Sequence, residues 1–201
     1  MPRSMRFTSF DFDQSKYDSL MSDVETINND TLNGIPGLLT VRAVKTADNH
    51  MFVMSTYESM EELNAASATH AQVFAGFAKH IVGEPIIRSG EVIESVDGPA
   101  SGVGYMRFTR AIFDSSNYDA MMSSLDGQLE RLFKEIPGLY RLRVVRIAEA
   151  PDRMIAAAAY TDRSAADAAR DTAQAALSGM AEYMTEPPFV REGDLVWSYV
   201  R

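Results

Sequence analysis

The residue whose type and position most strongly suggest chemistry is His70. It lies on the apolar face of a predicted helix, among Leu63, Ala66, Val73, Phe74, Phe77 and Ile81. A histidine in that place could act as a general base toward a phenolic substrate, or could ligate a metal ion. The alternative is a core histidine with one backbone partner, because no second histidine or carboxylate is spaced with it as a motif.

Two tyrosines, Tyr57 and Tyr160, close predicted strands at equivalent places in the two halves of the chain. A phenol at a strand end beside a pocket could hydrogen-bond a substrate oxygen. The alternative is an amphipathic residue at the edge of a core, with a buried ring and a hydrated hydroxyl group. Phe74 and Phe77 would line the same pocket, so we count them with Tyr160 as candidate ligand-binding residues.

Arg42 and Arg143 each lie in the middle of a predicted strand among apolar neighbours. A buried cation requires a partner. The two arginines could bind an anionic ligand, or they could pair with Glu91 and Asp194 of the fourth strand of each half. Both alternatives stay open at the level of the sequence.

The remaining histidines do not suggest a metal site. His80 is too far along the chain from His70 to form a metal-binding pair of the i, i+4 type, and we assign it a structural or surface role. His50 falls in a predicted hairpin turn, where we expect it to be solvated.

The chain has no cysteine. It also has no phosphate-binding glycine loop and no nucleophile elbow. We therefore expect no metal ion and no cofactor.

The elements that must position these residues follow the order β-α-β-β-α-β. Aromatic and alternating residues predict the strands, and a period of 3.6 residues predicts the helices. Ser15, with Asp18, and Ser59 are the expected helix N-caps. Gly83 and Pro85 are expected to end the second helix. The predicted strands are 5–12, 38–45, 51–57 and 86–93, and the predicted helices are 15–32 and 60–81.

The same order occurs twice. The sequence Ile-Pro-Gly-Leu at 35–38 returns at 136–139, an offset of 136 − 35 = 101 residues. After a hairpin loop that is two residues longer, the offset becomes 160 − 57 = 103 and holds to the carboxyl end. Repeats of this length are domains rather than solenoid units. We predict a first repeat at 1–97, a linker at 98–104 and a second repeat at 105–201.

A four-stranded sheet with helices on one face leaves its other face bare, and a bare apolar face tends to associate. We therefore predict an α+β fold in which two ferredoxin-like repeats pack sheet to sheet, as an intrachain dimeric α/β barrel. Fusion of the repeats in one chain favours this pairing. The chain would be an intrachain pseudo-dimer, and a further homodimer is compatible with it.

The chain resembles the dimeric α/β-barrel superfamily, and within it the antibiotic biosynthesis monooxygenase (ABM) family. The residues that carry this resemblance are the Ile-Pro-Gly-Leu sequence, Tyr57 and the segment Ala-Thr-His-Ala-Gln-Val-Phe at 68–74. The family includes monooxygenases that oxidise quinol-like or polycyclic aromatic compounds without metal or flavin. Its haem-degrading relatives use an asparagine on the first strand, a tryptophan and a helical histidine. Here the first strands hold no asparagine, and Trp197 belongs to the last strand rather than lying near a helical histidine.

Composition limits the partners. The net charge is 19 − 28 = −9, which disfavours binding to nucleic acid and to anionic membrane surfaces. No segment has the apolar run of a signal peptide or of a membrane span. We therefore expect a cytoplasmic protein whose partner is a small molecule.

These observations favour two functions. The first is a cofactor-independent, ABM-like monooxygenase that acts on a small aromatic or quinol-type substrate, with His70 and Tyr57 as its polar groups. The second is a non-catalytic α/β-barrel protein that binds a small ligand or has a structural role. An open, mostly apolar cavity in contact with both His70 and Tyr57 would favour the first.

Overall fold

The computed structural model describes residues 2–201, which form two compact units. Of the described residues, the first unit comprises 2–91 and Leu195–Arg201, and the second comprises Val92–Asp194. The last residues of the chain thus belong to the first unit, and the residues from Val92 onward belong to the second. The repeat boundaries around the linker 98–104 stay a prediction.

The first repeat has four strands and two pairs of short helices. The end of the last strand of the chain completes its unit. Short 3-10 turns at Gln14–Lys16 and Ala78–His80 precede α1 and β4. Its elements are β1 (Ser4–Phe12), α1 (Tyr17–Glu25), α2 (Asn29–Asn33), β2 (Leu38–Ala47), β3 (His50–Tyr57), α3 (Met60–Ala65), α4 (Ser67–Ala75) and β4 (Ile81–Asp97).

The second repeat has the same order. Short 3-10 turns at Ser115–Asn117 and Ala181–Tyr183 stand at the positions equivalent to those of the first repeat. Its elements are β5 (Tyr105–Ile112), α5 (Tyr118–Leu125), α6 (Gln128–Phe133), β6 (Leu139–Ile147), β7 (Arg153–Tyr160), α7 (Arg163–Ala168), α8 (Arg170–Gly179) and β8 (Phe189–Val200).

The strand pairing is that of a ferredoxin-like repeat. β1 pairs antiparallel with both β3 and β4, and β2 pairs antiparallel with β3. In the second unit β5 pairs with β7 and β8, and β6 pairs with β7. The strand order β1-β3-β2-β8-β5-β7-β6-β4 is that of a closed barrel, which confirms the predicted α+β fold class.

Each unit has its own core between its sheet and its helices. In the first unit Phe10, Phe12, Leu20, Ala43 and Met51 are buried together. In the second unit the buried cluster runs through Phe113, Met121, Leu125, Leu129, Phe133, Leu142, Met154 and Tyr160. None of the helices between residues 2 and 201 is long and apolar enough to cross a membrane.

The Ile-Pro-Gly-Leu corners require their glycines. Gly37 has φ +60°, and a Cβ atom at that position would lie 2.4 Å from Cβ of Glu62. Gly138 has φ +77°, and its Cβ would lie 2.5 Å from Cβ of Ala165. The corner therefore packs directly against the helix that follows β3 or β7, and this contact helps to fix the entry into β2 and β6.

Several element boundaries differ from the sequence prediction, and the predicted helix 60–81 is interrupted into α3 and α4. The predicted helix 15–32 is interrupted into α1 and α2, and the N-cap of its first turn is Asp13, whose side chain accepts from the N–H of Ser15. Ser59 caps α3 as predicted. α4 ends at Ala75, and β4 begins at Ile81 instead of 86. Gly83 and Pro85 therefore lie inside a strand, and they do not end a helix.

Candidate functional site

An inner cavity of about 90 Å³ lies between the sheet and the helices of the first unit. Both His70 and Tyr57 line it. Its walls are otherwise almost entirely apolar. They are formed by Phe10, Leu20, Val24, Ile27, Leu32, Ile35, Leu38, Val41, Ala43, Met51, Val53, Ser55, Val73, Phe74, Phe77 and Trp197.

His70 reaches the cavity from α4 and is half-buried. Its ring stacks on the ring of Phe74, with centroids 5.9 Å apart and an interplanar angle of 7°. Among residues 2–201, no side chain or backbone group hydrogen-bonds its ring nitrogens. Burial, and secondarily the positive charge of Arg6, lower the pKa of His70 from 6.5 to about 4. The imidazole is therefore neutral near pH 7, with one nitrogen able to accept a proton and the other able to donate.

Tyr57 stands at the end of β3 and is almost completely buried, with 1% of its surface exposed. The guanidinium carbon of Arg6 lies 5.9 Å from the centroid of the Tyr57 ring. A phenol held in this way can offer its hydroxyl group to an oxygen atom in the cavity. Its ring is part of the apolar wall.

Arg6 is a charged residue close to both His70 and Tyr57, and the sequence did not single it out. It lies in β1 with 5% of its surface exposed. Its Nη2 donates to the carbonyl oxygen of Leu63 at 3.1 Å and to Oγ of Ser67 at 2.6 Å. Its Nη1 is buried without a hydrogen-bond partner. One sequence feature could have identified Arg6. It lies in a strand opposite Ser89, and the second repeat has a carboxylate at the position equivalent to Ser89.

An outer groove of about 500 Å³ adjoins the same residues. His70 and Phe74 line both the inner cavity and the outer groove, and thus form the wall between them. The groove is more polar than the cavity because Arg6, Ser67 and Ser89 line it. A ligand in the groove would therefore lie beside His70 and Phe74.

The second unit has a corresponding cavity of about 70 Å³, but its lining differs. Ala173 replaces His70, and Ala158 replaces Ser55. Leu129 and Phe133 on α6 replace the smaller Asn28 and Leu32 and also line the cavity. This cavity is not larger than that of the first unit, although alanines stand where the first unit has His70 and Ser55.

Tyr160 lines the cavity of the second unit, so the structure does not bring it to His70. It is fully buried, and its hydroxyl group has no hydrogen-bond partner among the described residues. The pKa of Tyr160 is raised, mainly because the side chain is buried. Arg107, the equivalent of Arg6, also lines this cavity, and its Nε donates to Glu192 at 2.7 Å.

The predicted ligand-binding residues separate into two groups. Phe74 and Phe77 line the inner cavity with His70 and Tyr57. Arg42 and Arg143 are buried, with 7% and 5% of their surfaces exposed, and line none of the three cavities described above. A ligand-binding role for these two arginines stays a prediction.

One expectation about the histidines was wrong. His50 is not solvated: it is buried at the start of β3, with Nε2 2.9 Å from Oγ of Ser9 and Nδ1 2.5 Å from Oγ1 of Thr46. His80 agrees with the structural one of its two predicted roles: it is buried, and its Nε2 lies 2.7 Å from a carboxylate oxygen of Asp23. Hydrogen bonds from Lys79, and then from His80, lower the pKa of Asp23.

The expected separation of Trp197 from the helical histidine was also wrong, because both residues line the inner cavity. The sequence placed Trp197 in the last strand correctly. It could not show that this end of β8 belongs to the first unit. Within residues 2–201, no three His, Asp or Glu side chains are grouped so as to hold a metal ion.

The fold of this chain is similar to the folds of several solved structures. No protein-family model and no curated protein matches the sequence. Similar structures include a candidate monooxygenase from Fusobacterium nucleatum (TM-score 0.80, 12% identity, covering 100% of this chain and 95% of that one). A candidate monooxygenase from Lactobacillus acidophilus NCFM has a TM-score of 0.78 at 9% identity, covering 100% and 97%.

An anthrone oxidase-like protein is also similar, with a TM-score of 0.69, 14% identity and coverage of 100% of this chain and 94% of that one. At these identities the likeness concerns the fold. It extends over all of this chain and over 94–97% of the other three, and it supports the α/β-barrel architecture.

Proposed function

We propose that the chain is a cofactor-independent monooxygenase-like enzyme that oxidises a small aromatic or quinol-type substrate at the inner cavity of the first unit. The observation that carries this proposal is that one apolar cavity touches both His70 and Tyr57. Pockets of this kind, with few polar groups on an apolar lining, are typical of small-molecule sites. The similarity to monooxygenase-like structures supports the proposal.

In this proposal His70 takes the proton of a substrate phenol. Because the imidazole is neutral at physiological pH, it can accept that proton without first losing its own. The nearby guanidinium group of Arg6 favours the phenolate that results, since an opposite charge stabilises an anion in a site of low dielectric constant. Tyr57 donates a hydrogen bond to a substrate oxygen and fixes the orientation of the ring.

The electrons come from the substrate. A phenol with hydrogen at the position opposite its hydroxyl group can react with O₂ to give a quinone and water. One oxygen atom enters the ring carbon, and the other leaves as water with the two hydrogens that the substrate loses. The reaction balances without an external reductant. The protein's part is to deprotonate the phenol, orient it and keep water away.

The alternative is a non-catalytic protein that binds a small ligand in the same cavity. The specific observation in its favour is that no carboxylate among residues 2–201 orients His70, whereas catalytic histidines are commonly held by a third group. In that case ligands would bind without any uptake of oxygen.

Oxygen consumption distinguishes the two functions. The purified chain would be mixed with 1-naphthol, which has hydrogen opposite its hydroxyl group, in an oxygen-electrode cell, and quinone formation would be followed by absorbance. The enzyme proposal predicts uptake above the rate without protein and a fall of at least about 10²-fold in the His70→Ala variant. Uptake that is unchanged in His70→Ala would remove the histidine from the mechanism, and binding without uptake would favour the alternative.

A further inference from the structure

We infer that the outer groove of the first unit binds the carboxylate of an aromatic acid, with the Arg6 guanidinium as the group that recognises it. This inference goes beyond the proposed function, because the groove is separated from the inner cavity by His70 and Phe74. It depends on a difference in charge between the two repeats.

Arg6 and Arg107 are equivalent residues, 101 positions apart, and each faces the fourth strand of its repeat. In the second unit Arg107 stands opposite Glu192 in the antiparallel ladder, and the two form an ion pair of 2.7 Å. In the first unit Arg6 stands opposite Ser89. The carboxylate that neutralises the cation in one repeat is therefore replaced by a hydroxyl group in the other.

The charge of Arg6 is left without a counter-ion. Among residues 2–201, no carboxylate lies within 4.0 Å of its guanidinium group, whose protein hydrogen bonds go to two neutral oxygens, of Leu63 and Ser67. Its Nη1 is buried and has no partner. A buried cation is stable only with a compensating charge or hydrogen bonds. A ligand carboxylate could supply both, since it can accept two hydrogen bonds from one guanidinium group.

The groove beside Arg6 suits an aromatic ring. The stacked rings of His70 and Phe74 form one wall. Ile87, which is 40% exposed, forms part of another wall. A flat ring placed between them would cover this exposed apolar surface while its carboxylate lies against Arg6. The groove volume of about 500 Å³ leaves room for a ring system larger than the inner cavity holds.

The second repeat indicates how to remove the site without disturbing the fold. Ser89→Glu installs in the first unit the carboxylate that the second unit carries at Glu192. Ser89→Gln has nearly the same size without the charge and is the matched control. Calorimetric titration of the full chain with 2-naphthoate, and with its neutral analogue 2-naphthamide, measures the contribution of the ligand charge.

We expect the unmodified chain to bind 2-naphthoate about tenfold or more tightly than 2-naphthamide, as a charge-assisted hydrogen bond would give. Ser89→Glu should abolish this preference, and Ser89→Gln should retain it. Equal affinities in the unmodified chain, no measurable binding of either probe, or the same loss in both variants would overturn the inference.

The binding experiment separates this inference from the proposed function. Preferential binding of the acid without any oxygen uptake would count against the enzyme and leave the carboxylate site in place. Oxygen uptake from neutral phenols, with no preference for the acid, would leave the enzyme in place and overturn the carboxylate site.

Discussion

The Nε of Arg107 donates a hydrogen bond of 2.7 Å to a carboxylate oxygen of Glu192 inside the second unit. The Arg107 side chain is 6% exposed and that of Glu192 is 24% exposed, so the pair is mostly shielded from water. The equivalent cation in the first unit has no such partner. The two repeats thus share their architecture and differ in how one buried charge is compensated.

This ion pair should stabilise the second unit. Glu192→Gln leaves the Arg107 cation without its charged partner, and we expect the free energy of unfolding to fall by about 2 kcal/mol, less than for a fully buried pair. Urea unfolding followed by circular dichroism measures the change. The control is Glu130→Gln, which removes the exposed pair of Glu130 with Lys134 and should cost at most about 0.5 kcal/mol. Equal effects of the two substitutions would contradict the burial argument.

The titration of His70 should be visible in acid stability. Its pKa in the folded protein is about 4, below its ordinary value of 6.5. As pH falls through this window the unfolded chain binds the proton first, so the contribution of His70 to folding is complete above pH 6.5 and is lost toward pH 4. The loss should approach about 3 kcal/mol, and it should be absent in His70→Ala. A pKa of 6.5 or above for His70, measured by NMR, would contradict this.

Ser89→Glu should also raise the pKa of His70. The positive charge of Arg6 is the second cause of the lowered value, and burial is the first. A carboxylate beside Arg6 compensates that charge but leaves the ring buried. We therefore expect the NMR titration of His70 to move upward without reaching 6.5. No change in Ser89→Glu, or the same change in Ser89→Gln, would argue against an electrostatic origin.

Gly37 at the Ile-Pro-Gly-Leu corner should tolerate no side chain. Gly37→Ala would place a Cβ atom 2.4 Å from Cβ of Glu62 at a φ of +60°. We expect a loss of about 2–4 kcal/mol, of which about 1–2 kcal/mol comes from the left-handed backbone conformation. The matched control is Gly83→Ala, which has φ +73° but no heavy atom within 4 Å of the added Cβ. Thermal unfolding of both variants measures the part of the stability loss that comes from the clash with Glu62. Equal losses in the two variants would contradict this steric explanation.

Much of this architecture could be predicted from the sequence, because the repeats, the strand order and the register of equivalent residues follow from local patterns. The start of β4 could not, since Gly83 and Pro85 usually end helices but here lie within a strand. The contact of Trp197 with the cavity of His70 could not be predicted either, because it depends on the unit to which the last residues of the chain belong. His50 was misplaced because a residue beside a turn is usually solvated.

The candidate site was predictable in part. His70, Tyr57, Phe74 and Phe77 share one cavity, as their positions on one helix face and one strand end indicated. Arg6 was missed because an arginine near the start of a strand resembles a surface residue. Comparison of Ser89 with Glu192 at equivalent positions would have identified it from the sequence alone.

Tyr160 tests whether a buried hydroxyl group without a partner destabilises the second unit. Its hydroxyl group is buried without a partner, so Tyr160→Phe removes an unsatisfied polar group. We expect the stability to be unchanged or to increase by up to about 1 kcal/mol. A loss of more than about 1 kcal/mol in urea unfolding would show that the hydroxyl group has a stabilising role there.

The most direct test of the central claim compares oxygen uptake by Tyr57→Phe and Tyr160→Phe with the same phenolic substrate. The two tyrosines are equivalent in the repeats, but only Tyr57 shares a cavity with His70. A working site in the first unit predicts a fall of about tenfold or more in Tyr57→Phe and an unchanged rate in Tyr160→Phe. Equal losses in both variants, or a loss confined to Tyr160→Phe, would contradict the account.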